Sequence, residues 1–509
     1  QRGVRQSLFG GYVQDDWRFR PSLTLNLGLR YEMVTVPTEV QNKLVNLPTL
    51  TSPPPGHIGS PYFSNPTLRN FEPRIGFAWD PFHNGKTAVR GAFGIFDILP
   101  LTLEFADTLT KSAPFTELFT VANLAPGSFP TGAAAAVINA VVSPSQLQTQ
   151  NIQPTPPRNY SMSWNLNIER QLNSSTSLMV GYVGNHAVHT FDRTDDANSV
   201  LPIANAPEGL LWPSPPGSGK ILNPAVGPIE MNYWGGDSFF DALEVQVTKR
   251  MSHGLQVQGS YTWGKNIDTG SSSAISDAFS NSLNGLFFFC KSCRRGVSDY
   301  NVAQTLVVNY NWDVPTPTRW GAIGSHLLGG WQLGGILTAE TGVPITPVLA
   351  GDQMGLLNSA PEAYPNRITG PGCGSDVNPG NPNNYMKLNC FAVPMTTASI
   401  AAQCTPFSAA PGSCANLLGN VGRNTLIGPG LATFDFSLVK NNYIKRISEN
   451  FNVQLRAEFF NILNRANFQT PIDNSTLFDQ TGAPVGGAGA VDQTSTTARE
   501  IQFSLKLIW

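Results

Sequence analysis

The chain has 509 residues, with 32 Lys+Arg against 34 Asp+Glu and a formal net charge of -2. It therefore lacks the basic surplus with which a nucleic-acid binder neutralises phosphates. Charged residues make only 13% of it, too few for an ordinary soluble enzyme of this size, while Gly and Pro number 48 and 40. No run approaches the roughly 18 consecutive apolar residues of a spanning helix, which excludes a helical membrane protein.

Residues 1–6 (QRGVRQ) carry neither a signal nor a transit-peptide pattern, so the chain reads as a mature product or a fragment. From there the sequence alternates with period two, the mark of strands with two chemically different faces. Leu23, Leu25, Leu27, Leu29 and Tyr31 are separated by Thr24, Asn26, Gly28 and Arg30. Tyr160, Met162, Trp164, Leu166 and Ile168 repeat the pattern, as do Leu255, Val257, Tyr261 and Trp263. So do Phe451, Val453, Leu455, Ala457 and Phe459, and finally Ile501, Phe503, Leu505, Leu507 and Trp509.

Strands are expected at about 8–19, 22–34, 72–82, 85–97, 160–171, 175–190, 238–250, 254–265, 301–313, 330–341, 431–445, 450–461 and 498–509. Ten such residues, tilted, climb about 25 Å, the height of an outer-membrane apolar band. Aromatics near the ends of runs, at Tyr12, Trp17, Tyr31, Trp79, Tyr261, Trp263 and Trp509, fit interfacial girdles. A soluble β-sandwich also alternates, but with shorter strands and more exterior charge. The expected fold is thus all-β, a transmembrane antiparallel up-and-down barrel. Connections alternate between short turns and long loops rich in Pro, Gly and Ser, and residues 133–142 (AAAAVINAVV) suit one short loop helix. Short turns belong on the periplasmic side, so both the first and the thirteenth strand descend. Single-chain bacterial barrels have even strand numbers, and an odd count points to the C-terminal part of a larger barrel.

The six cysteines fall into close pairs, Cys290/Cys293, Cys373/Cys390 and Cys404/Cys414, which suits local disulfides in an oxidising compartment. Cys290 and Cys293 have the spacing of a redox pair or of half a zinc site, but no second such pair completes the latter. His186 and His189 lack a fixed carboxylate partner. Asp15 and Asp16 are adjacent in a strand and point to opposite faces, which favours a polar role at the periplasmic rim over an acid pair. Residues 483–490 (APVGGAGA) and 329–335 (GGWQLGG) lack the strand-to-helix setting of a phosphate loop. No catalytic constellation emerges; neither enzymatic activity nor a cofactor is expected.

Residues 9–32 (FGGYVQDDWRFRPSLTLNLGLRYE) resemble a hairpin of TonB-dependent outer-membrane receptors. Residues 70–80 (NFEPRIGFAWD), 419–430 (GNVGRNTLIGPG) and 457–468 (AEFFNILNRANF) look like the Oar-like subgroup. The resemblance implies a barrel of about 22 strands, so residues 1–509 would supply thirteen, beginning with the tenth, and the plug and N-terminal strands would be absent. It implies uptake of an unknown ligand, outer-membrane lipid around the wall, and a TonB complex acting through the absent region. A surface structural or adhesion barrel, or a passive pore, is the alternative. The face formed by Phe503, Leu505, Leu507 and Trp509 resembles the signal read by the outer-membrane barrel assembly machinery.

Overall fold

The computed structural model describes residues 3–60, 64–65, 68–102, 111–117, 132, 144–206, 209–213, 215–271, 287–316, 327–358, 363–394, 417–479 and 481–509. Its frame is one large sheet. The strands are β1 (Leu8–Arg20), β2 (Leu23–Val34), β3 (Phe71–Trp79), β4 (Thr87–Asp97), β5 (Tyr160–Asn173), β6 (Thr176–Thr194) and β7 (Ile229–Ser252). They continue as β8 (Leu255–Asp268), β9 (Gln304–Asp313), β10 (Trp331–Glu340), β11 (Leu431–Tyr443), β12 (Asn452–Phe460) and β13 (Glu500–Ile508). Each pairs with the next in sequence order, and every such pairing is antiparallel. Among the described residues β1 and β13 are not paired with each other, so the sheet has two free edges.

Register carries the alternation across the sheet. Leu25 stands between Trp17 and Phe77, and Leu27 between Asp15 and Ile75, on one face. Asn26 stands between Asp16 and Gly76 on the other. The apolar face continues through Phe93, Trp164, Tyr182, Leu243 and Trp263, because directly opposed residues share a face. Two rings explain glycines inside strands. A Cβ on Gly184 would stand 2.3 Å from the Trp164 indole, and one on Gly335 2.6 Å from the Tyr310 ring. The tight β7–β8 turn uses His253 and Gly254, with φ of 54° and 76°, a backbone that matches strand twist.

Three expectations need correction. Tyr12 is no girdle residue: it lies opposite Arg30 on the polar face. Asp16 does accept a hydrogen bond from Asn26, at 2.7 Å on the polar face, but Asp15 is not at a rim; it faces outward beside Leu27, with the Trp17–Leu25 pair between it and the turn. Finally, β7 begins at Ile229 rather than near residue 238, because residues 231–234 continue the ladder with β6 while Thr149–Ile152 adds in parallel. The Gly235–Gly236 pair interrupts the alternation there, which hid this extension from the sequence. The stretch 133–142 lies outside the described residues.

Ile229 and Trp234 of β7 sit in small buried clusters, but the main buried core is not in the sheet. It lies in the long connections, where Trp212, Phe287, Leu356, Tyr364, Met386, Phe391, Leu426 and Leu477 form one apolar cluster. These residues come from the β6–β7, β8–β9, β10–β11 and β12–β13 connections, so the loops pack on one another above the wall.

Candidate functional site

Two places gather polar chemistry, the inner face of the sheet and the seam between the sheet and the loop layer. On the inner face, cations and carboxylates alternate by two along a strand or oppose each other across strands. Arg30 donates through Nε to Glu32 at 2.7 Å, Arg74 reaches Glu72 at 2.8 Å, and Arg90 meets Glu169 at 3.1 Å. Asn185 donates to Ser161 and to Ser163, both at 2.7 Å. On the far side Arg456 and Glu458 lie 3.3 Å apart, and Gln454 donates to Asn441 at 2.9 Å. This surface suits a water-filled passage. It offers hydrogen bonds to a polar solute.

At the seam, the ends of β6, β7 and β8 carry a buried ion-pair network. Arg294 pairs with Asp192, while Arg423 reaches Asp268 at 2.6 Å and Asp299 at 3.4 Å. Arg423 also donates to the Arg294 carbonyl at 3.2 Å, joining the two pairs. Beside it, Asn424 donates its backbone N–H to the Thr346 hydroxyl at 2.8 Å and its side chain to the Val297 carbonyl at 2.7 Å. Arg423 and Asn424 belong to the 419–430 motif, so its conspicuous GRN step serves as a clip between the β10–β11 connection and the strand ends. The sequence marked the motif without showing what it grips, since its partners are 78 to 155 residues away.

In the structure Cys290 is bonded to Cys293 and Cys373 to Cys390; Cys404 and Cys414 lie outside the described residues. The Cys373–Cys390 bridge ties the β10–β11 connection to the core, in which Cys390 is fully buried. His186 packs against the Phe239 ring at 4.5 Å, and His189 Nδ1 sits 3.0 Å from the Arg158 carbonyl, so the two imidazoles serve different neighbours. Among the described residues no group of three His, Cys, Asp or Glu is placed to hold a metal ion. Phe503, Leu505 and Leu507 project from the apolar face of β13, opposite Ala457, Leu455 and Val453, and Trp509 stacks on Phe451 with ring centroids 6.1 Å apart.

Sequence reasoning missed the seam network and the shared core of the loops. A weak signal existed in the pairing of arginine with aspartate near strand ends, but nothing local specifies which partners meet.

Comparison with solved structures returns outer-membrane proteins. The Escherichia coli outer membrane transporter YddB is 10% identical with a TM-score of 0.47, over 99% of this chain and 45% of that one. The Pseudomonas aeruginosa ferric enterobactin receptor PfeA is 11% identical with a TM-score of 0.44, over 99% and 45%. The Acinetobacter baumannii ferric preacinetobactin receptor BauA is 12% identical with a TM-score of 0.40, over 99% and 43%. The chain thus spans less than half the length of each. No curated protein sequence matches it significantly. The family model described as an outer membrane beta barrel domain matches residues 1–502. With an apolar outer face, a polar inner face and a match across nearly its whole length, the chain belongs to the outer membrane beta barrel domain family and its place is the outer membrane.

Proposed function

We propose that the chain is the C-terminal wall of a TonB-dependent uptake receptor of the Oar-like subgroup, with the plug and about nine further strands supplied by sequence ahead of it. The observation that carries this reading is directional. In a meander of thirteen strands β1 and β13 run the same way, so joining them directly makes a parallel pair. Antiparallel closure needs an odd number of additional strands, and lipid tolerates no open sheet edge. Nine is such a number. The polar inner face supplies the passage, the loop layer the surface that meets a ligand, and the missing region the contact with the TonB complex.

The motif at residues 9–32 and the GRN clip support the family assignment on sequence grounds. The exposed row Phe503, Leu505, Leu507 and Trp509 supports a second role, as the segment the assembly machinery reads. A planar-bilayer recording of the full-length parent tests the uptake reading. A plugged receptor holds no standing conductance, whereas a steady open current overturns the reading in favour of a passive pore.

A further inference from the structure

The two disulfides differ in setting. Cys390 is fully buried in the loop core, and its bridge closes a separation of 17 residues. The other joins Cys290 and Cys293 across a separation of 3, at the turn Lys291–Arg294. Cys293 lines an open cleft of about 730 Å³ on the loop layer, together with Ser292, Arg295, Tyr364, Arg367, Asn420 and Thr425. Arg295 is exposed, Arg367 is ion-paired with Asp376 at 2.6 Å, and no Asp or Glu lines the cleft among the described residues. Lys291 and Arg294 flank the cysteines and are ion-paired with Asp237 and Asp192. The Cys290 sulfur is set differently from its partner. It accepts the Cys293 N–H at 3.3 Å and lies 3.4 Å from the Ser292 hydroxyl.

We propose that Cys290–Cys293 is a thiol–disulfide exchange site that takes small anionic thiols from the cleft. Exchange speed depends on access to the attacked sulfur and on stability of the departing thiolate. Cys293 lines the cleft, while Cys290 carries the hydrogen bonds that suit a departing thiolate. An incoming thiolate attacks Cys293 Sγ from the cleft, the Sγ–Sγ bond breaks, and its electron pair leaves on Cys290 Sγ. The Cys293 N–H and the Ser292 hydroxyl donate to that thiolate and so lower its energy. A second thiolate then attacks the outer sulfur of the mixed disulfide, releasing Cys293 as a thiolate. Two thiols have become one free disulfide, and the protein disulfide has become two thiols. Arg295 favours a thiol that carries a carboxylate.

The test uses the protein in isolated outer membranes, under native conditions, with mercaptopropionate, mercaptoethanol and cysteamine compared at equal thiolate concentration. Newly exposed cysteines are alkylated and assigned by peptide mass spectrometry. Expected is opening of Cys290–Cys293 roughly tenfold or more faster than Cys373–Cys390, in the order carboxylate, neutral, cationic thiol. High salt should flatten that order, Arg295→Glu should invert it, and the trapped mixed disulfide should sit on Cys293. Equal rates for the two bridges, an order indifferent to charge, or an adduct on Cys290 would overturn the proposal, and the first two are decided on the unmodified protein.

Discussion

In the wall, Phe503, Leu505 and Ile168 are 76%, 61% and 47% exposed, whereas in the loop layer Trp212, Met386 and Leu477 are fully buried. One chain therefore sorts the same side-chain chemistry in opposite directions. The wall satisfies its backbone through ladders and presents apolar side chains to lipid, so its stability comes from hydrogen-bond closure and the surrounding solvent. The loop layer meets water and gathers its apolar side chains inward, as soluble proteins do. Where the two meet, the buried ion pairs of Arg294 and Arg423 add to small apolar contacts such as Trp234 with Leu44 and Ile152.

The largest expected effect lies at that seam. Arg423→Ala takes from buried Asp268 the cation that lies 2.6 Å away, which costs about 3 to 5 kcal/mol. Limited proteolysis on a temperature ramp should show cleavage in the β10–β11 connection at a lower temperature, with the wall strands still protected. If wall and loops lose protection together, the two regions form one cooperative unit and the contrast fails.

Removing the Cys373–Cys390 bridge sharpens the contrast from the loop side alone. Closing a loop of this size is worth about 3 kcal/mol in the chain-entropy model, so Cys373→Ser with Cys390→Ser should loosen the loop layer. The same ramp is expected to report no change in β1 to β13, and a matching fall in wall protection would show that the loops brace the sheet.

The wall has its own test in two adjacent residues. Leu27→Arg places a cation on the lipid face and should cost about 2 to 4 kcal/mol near the midplane. Asn26→Arg is expected to be mild, since residue 26 faces inward beside Asp16. Urea titration of the folded band on cold gels ranks the two, and a larger cost for Asn26→Arg would reverse the assignment of faces.

The same pair shows why the wall was legible in sequence. Leu27 and Asn26 differ in surroundings because neighbours along a strand point apart, so a local period of two encodes the face without reference to any partner. Strand order followed for the same reason, since short turns join sequential neighbours. Asp15 escaped this logic. Its parity put it on the outer face, but its chemistry suggested a rim, and only the register with Leu27 settled its height. The loop layer was illegible because its contacts are long-range: Arg423 meets Asp268, and Leu211 bridges to Leu417, across chain lengths over which no pattern repeats. The start of β7 failed for an intermediate reason, a strand held by pairing through a glycine pair that carries no alternation.

The smallest expected change in stability belongs to Trp509. It is 79% exposed and contacts the wall through its stack on Phe451, so deleting it removes one interfacial ring and leaves every β13 ladder pair in place. If the terminal row only faces lipid, the full-length parent lacking Trp509 should reach the outer membrane at nearly its normal level. If Phe503, Leu505, Leu507 and Trp509 also form the segment read by the assembly machinery, the level should fall far more than the lost contact accounts for, with unassembled chain accumulating in the periplasm. Replacing Trp509 by Phe separates the cases further, because it keeps an aromatic end while shrinking the stacked ring. Recovery of surface level by Trp509→Phe but not by Trp509→Ala supports recognition of an aromatic terminus. Unchanged surface level on deletion removes the assembly role and leaves the lipid-facing wall intact.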